Sequence, residues 1–162
     1  MLHVNNNVSE LKQRAMMDVN TLFPRVERVY TGSRWAYYFL IVLTALSTGR
    51  SLVHMFAADG GSHSIAGIDI ALAGGVNIVA LFAQWGASQL VLAFLQWLVV
   101  LRYRFLVPAM LLVVVLEQLL RIGAGHLKPL QIAAAPPGHL GTYITLVLAL
   151  AFLGLSLRQD RR

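Results

Sequence analysis

Cysteine is missing from this chain, and acid is almost as scarce, with seven Asp and Glu among 162 residues. The first absence excludes disulfides, thiolate metal sites and cysteine nucleophiles, and it leaves the redox compartment unstated. Charged residues make up only 12% of the chain while 57% is hydrophobic, and mean hydropathy is +0.67. A soluble domain carries about a quarter charged residues, because its surface must be solvated. Losing half of that charge at ordinary length points to one compact membrane unit. Motifs are missing too. No phosphate-binding Gly-rich loop, no nucleophile elbow and no His-Glu-x-x-His spacing occurs, so none of those chemistries is indicated. No repeat of 20–50 residues marks a solenoid or propeller. Residues 1–34 are too polar for the apolar core of a signal peptide, so no cleaved signal is expected.

What is present is long apolar segments, four of them. "WAYYFLIVLTALSTG" runs Trp35–Gly49 and continues past Arg50 to about Ala58. Val76–Leu101 follows the breaker pair Gly74-Gly75, Phe105 leads through Glu117 to Gly123, and His139–Leu157 closes the set. Each reaches the ~20 residues that cross a bilayer core of ~30 Å. Pro108 falls in the first turn of the third segment, where its missing N–H costs little. The expected fold is therefore all-α, an integral membrane antiparallel four-helix bundle over residues 35–157. Residues 1–34 form an arm before it and 158–162 a basic tail after it.

Ten of the thirteen Lys and Arg lie before the first span, between the second and third, or after the fourth, which leaves Arg50, Arg121 and Lys128 on the other side. The positive-inside rule then places both ends of the unit in the cytoplasm. Trp35, Tyr37, Tyr38, Trp97 and Tyr103 belong to an aromatic belt at the inner interface. This placement accounts for the net charge of +6, so no nucleic-acid partner is expected. In the arm, Val8, Leu11, Ala15, Val19 and Leu22 keep helical spacing after Ser9, a suitable N-cap, and Pro24 ends the run. That pattern reads as an amphipathic helix on the inner leaflet or packed on protein.

Inside the oily segments some polar residues stand out. At about 1.5 Å per residue, Arg50 lies roughly 24 Å above Arg34, and Gln89 and Gln84 lie roughly 20 and 27 Å above Arg102. Glu117 and Arg121 lie roughly 20 and 25 Å above Arg104, and Tyr143 and Thr145 roughly 20–22 Å above Arg158. All four helices thus bring polar groups to one layer in the outer half. Ser47, Arg50 and His54 share a face of the first helix, and Glu117 and Arg121 share a face of the third. Charges at that depth are expensive, face the bundle interior and pair with each other. The simplest arrangement sets Glu117 between Arg121 and Arg50, with Gln84, Gln89 and Tyr143 satisfying leftover groups and Asp59 outside the cluster. Gly86, Gly141 and Gly154 are expected to mark close helix contacts.

Three readings of the layer stay open. Polar groups between membrane helices often act only as glue. The same residues suit an outer-leaflet pocket for a membrane lipid, a quinone-like molecule or a protein partner. A proton or ion path is a poorer fit, because the inner half offers only Gln96. His54, His63, His126 and His139 lack any metal-ligand spacing, so no metal site is expected. No cofactor is indicated.

The block "ALFAQWGASQLVLAFLQWLVVLRYRFLVPAMLLVVVLEQLLRIGAGHLKP", with the later "PPG", resembles a group of small bacterial four-helix membrane proteins of unknown function. The resemblance covers about residues 49–157 and implies a bacterial inner membrane. In layout the chain is also distantly similar to the DoxX-like superfamily, some of whose members are small subunits of quinone-linked oxidoreductases. No functional residue comes with that likeness. The leading expectation is a non-catalytic binding or accessory subunit, in a larger membrane complex or a homo-oligomer. A small membrane enzyme using Glu117 as acid/base with Arg50 or Arg121 is the alternative, and a small-molecule exporter is third.

Overall fold

A computed structural model describes residues 23–130 and 137–158, and for Pro137 the backbone only. The helix expected in the arm and the end of the basic tail lie outside the described residues. Within them the regular structure is entirely helical: α1 Arg34–Phe56, α2 Gly75–Leu101, α3 Val107–Leu127 and α4 Pro137–Ser156. A single 3-10 turn, Arg104–Leu106, leads into α3, and Pro108 sits in its first turn. All four helices are long and apolar enough to cross a membrane. The chain is a multi-pass membrane protein.

In hydrocarbon every backbone polar group needs an internal partner, which the helix supplies. Hydroxyls follow the same rule. Thr44, Thr48 and Ser51 each donate back to the carbonyl four residues earlier in α1, at 2.6, 2.7 and 2.7 Å. Helix ends differ slightly from the sequence reading. α1 stops at Phe56, two residues early, because Ala57 turns to extended backbone while its N–H still closes on Val53. α3 runs four residues past Gly123 to Leu127, since two glycines alone do not stop a helix that already has its turns.

The order of contacts fixes the antiparallel arrangement. The Tyr37 hydroxyl near the start of α1 donates to the Val100 carbonyl near the end of α2 at 3.2 Å. Trp97 Nε1, in the last turns of α2, donates to Thr48 Oγ1 of α1 at 3.1 Å. Farther along, His54 of α1 meets Phe82 of α2. α1 also reaches α4, where Phe39 stacks on Phe152 with ring centroids 4.4 Å apart. α2 and α3, though joined by a short link, touch little. Of the three glycines expected at close contacts, only Gly86 is one. A Cβ there would meet Cβ and backbone of His54 and the Met55 nitrogen at 2.8–3.0 Å. Gly141 and Gly154 have open space beside them, so that expectation is corrected: on α4 they face outward.

The core sits at one end. Ala36, Leu40, Val99, Val100, Val107 and Leu111 are fully buried together, with Tyr37, Phe39, Trp97 and Phe152 packed around them. Val114, Val115 and Ala149 carry the packing to mid-helix. At this end, called here the terminal end, Arg102 Nη2 donates to the Phe23 carbonyl at 2.6 Å and Tyr103 to that of Pro24 at 3.1 Å. The segment before α1 is thereby tied to the α2–α3 link.

Candidate functional site

At the opposite, loop end the bundle opens into a cavity of ≈ 590 Å³. Every helix contributes: Arg50 and His54 from α1, Phe82 and Trp85 from α2, Arg121, Ile122 and His126 from α3, His139, Thr142 and Tyr143 from α4. Ile65 and Ala66 of the α1–α2 loop close part of its rim. Among the described residues the wall holds two guanidiniums and no carboxylate.

Trp85 organises the charged part. The Arg50 guanidinium carbon lies 5.3 Å from the indole centroid and that of Arg121 lies 5.1 Å away. Both are within cation–π range, an attraction that grows once water is excluded. His54 packs against the same indole at 4.7 Å, and Phe82 meets it edge-on at 5.9 Å. α2 sets this up by helical spacing: Phe82, Trp85, Gly86 and Gln89 fall on one stripe, and Gly86 lets α1 come close enough to reach it. Trp85 is the residue that sequence reasoning passed over. Its signal was its place four residues before Gln89 on the α1-facing stripe.

Glu117 and Arg121 form an ion pair one turn apart on α3, the only one among the described residues. The second carboxylate oxygen of Glu117 accepts from Gln118 Nε2 at 3.2 Å, and Gln118 itself is buried. The expected bridge from Glu117 to Arg50 is absent among the described residues. Arg50 instead donates Nη2 to Gln89 Oε1 at 3.2 Å, while its buried Nε has no hydrogen-bond partner there. The helices explain this. Arg50 lies on the α1–α2 interface, where it meets Gln89 and Trp85. Glu117 also lies off the cavity wall, whereas Arg121 is on it.

The other expected residues divide. Tyr143 lines the cavity and meets His139 edge-on at 5.2 Å, and it satisfies neither charge. Gln84 faces outward, and only its backbone carbonyl is engaged, by Ser88. His54, 4% exposed, pairs Nδ1 with the Gly60 carbonyl at 2.8 Å and so joins α1 to the loop. His63 places Nδ1 on the Ile68 carbonyl at 3.1 Å. Gln96 stays in the terminal half, its Oε1 unpartnered among the described residues, and nothing in the structure explains it.

The α1–α2 loop is built and not slack. Asp59 lies beyond the end of α1, as expected, and its carboxylate accepts from Gly61 N at 2.9 Å and Ser64 N at 2.6 Å. The Ser64 N–H first, then that of Gly61 and the Ser64 hydroxyl, hold the carboxyl well below the usual carboxylate range. Gly60 and Gly61 adopt φ of 59° and 73°, which side chains disfavour. Gly61 also abuts the His54 ring, where a Cβ would come within 3.1 Å of Nδ1. The result is a fixed cap that brings Ile65 to the cavity.

No protein-family model, curated protein or solved structure matches this chain.

Proposed function

We propose that the protein is a non-catalytic binding or accessory subunit that holds a membrane amphiphile, a lipid or quinone-like molecule, in the loop-end cavity. The observation that carries this is the cavity itself. At ≈ 590 Å³ it falls within the ~300–1,000 Å³ of small-molecule sites, and it joins apolar walls to a few convergent polar groups. Interhelical glue needs no such volume. The positive-inside distribution of Lys and Arg supports both ends in the cytoplasm, with the cavity at outer-leaflet depth, and the likeness to small bacterial membrane proteins supports a bacterial inner membrane.

Two other readings have less support. An acid/base role for Glu117 requires access to substrate, yet its oxygens are engaged by Arg121 and Gln118 and it stands off the wall. An exporter requires a path, and the terminal half is filled by apolar side chains. Purification in mild detergent, followed by mass spectrometry of what is retained, tests the reading. A stoichiometric amphiphile or a membrane partner carrying one is expected. Repeated isolation with neither would refute it.

A further inference from the structure

Resting on that reading, we infer that the cavity selects an amphiphile with a singly charged acidic head, a carboxylate or phosphodiester, docked between Arg50 and Arg121 over Trp85. The charge count carries the inference. Two guanidiniums and one carboxylate share the layer, and Glu117 is already spent on Arg121 and Gln118. One positive charge is left over, on Arg50, whose only side-chain hydrogen bond among the described residues is to the neutral carboxamide of Gln89. An uncompensated charge at membrane depth is costly, and such groups normally pair. A monoanion against Arg50 completes the count. A dianion would overshoot it, and a neutral carbonyl would accept a hydrogen bond yet leave the charge uncancelled.

Geometry agrees on where the head belongs. Arg50 lines the cavity, and among the described residues its guanidinium makes a single hydrogen bond, from Nη2 to Gln89, so donors are left for a head group. Charge-assisted hydrogen bonds to an anion are the stronger kind, and the planar guanidinium suits carboxylate and phosphate oxygens. The tail has its own wall in Ile65, Phe82 and Ile122. Glu117 is then a positioning residue, holding Arg121 at the indole without meeting the ligand.

The test is a competition read by native mass spectrometry on the full chain in neutral detergent. The probes are dioleoyl phosphatidylglycerol, oleate, dioleoyl phosphatidylcholine and decylubiquinone at equal concentration, with inorganic phosphate in a separate arm. Phosphatidylglycerol or oleate should be retained about tenfold better than the two net-neutral probes, and which of them leads identifies the head. Inorganic phosphate alone should not be retained. Arg50→Gln should collapse the preference to near unity, and Arg50→Lys should keep part of it. Equal retention of phosphatidylcholine or decylubiquinone by the wild type would overturn the acidic-head inference while sparing the amphiphile-binding reading. Retention of no amphiphile would overturn both, and tight retention of inorganic phosphate would overturn the role of the tail. The ranking is read on the wild-type chain, so a variant that fails to fold does not shelter the inference.

Discussion

The two halves of the bundle are built from different materials. In the terminal half the buried residues are mostly Ala, Val and Leu, interlocked across all four helices. In the loop half every buried residue described is Ser, Thr, Gln, His or Gly, and the described residues form no apolar core there. Membrane helices gain nothing from hiding oil in oil, so association rests on close packing and interhelical hydrogen bonds. The terminal half uses both, close packing and the Tyr37–Val100 hydrogen bond between α1 and α2. The loop half uses the second sparingly and leaves a cavity where a core would be. One half therefore holds the molecule together and the other is free to hold something else.

The sharpest division is between the ends. Because the chain has no cysteine, single substitutions carry no labelling background. Ala73→Cys in the α1–α2 link should react with an impermeant maleimide from the outer face of intact spheroplasts. Thr31→Cys before α1 should react only after permeabilisation. The reverse pattern would invert the proposed orientation. Next in size, Leu111→Ala should remove packing worth ~2–5 kcal/mol by analogy with soluble cores and lower the unfolding midpoint in detergent. Ligand preference should survive in whatever fraction folds.

Gly86→Ala tests the α1–α2 contact from within the loop half. The added methyl meets backbone, which cannot swing away, so ~1–3 kcal/mol of overpacking strain is expected, with weaker retention of amphiphile because Trp85 moves. Arg50→Gln should cost stability less than ~1 kcal/mol, the scale of one interhelical hydrogen bond, while abolishing head-group preference. A large loss of folding there would return the charged layer to a structural role. The smallest effect concerns the cap. Asp59 is held below its unfolded value, so its contribution is fully present above about pH 4 and shrinks as pH falls toward the depressed folded value. The difference in midpoint between wild type and Asp59→Asn should be constant near neutrality and narrow in acid.

Much of the fold was legible because the membrane imposes it. A span must be helical and about 20 residues long, so four apolar runs gave four helices with ends misplaced by only a few residues. Depth counting along antiparallel helices also brought Arg50, Gln89, Glu117, Arg121 and Tyr143 to one half. Partner choice was not legible. Pairing opposite charges drew Arg50 to Glu117, but azimuth decides contact: Arg50 turns toward α2 and finds Gln89 and Trp85. Gln84 was placed at the right depth and on the wrong side of its helix. The cavity itself is a property of what does not pack, and a sequence records that only weakly.

The measurement closest to the central claim uses Trp85 as the reporter. In a Trp35→Phe, Trp97→Phe background it is the only tryptophan of the chain, and it stands in the cavity wall. Fluorescence is followed as an acidic lipid with brominated chains is added in small mole fraction to vesicles of phosphatidylcholine. Amphiphile binding predicts saturable quenching that disappears with Arg50→Gln. Quenching that merely tracks the bulk fraction of brominated lipid, and ignores Arg50, would contradict it.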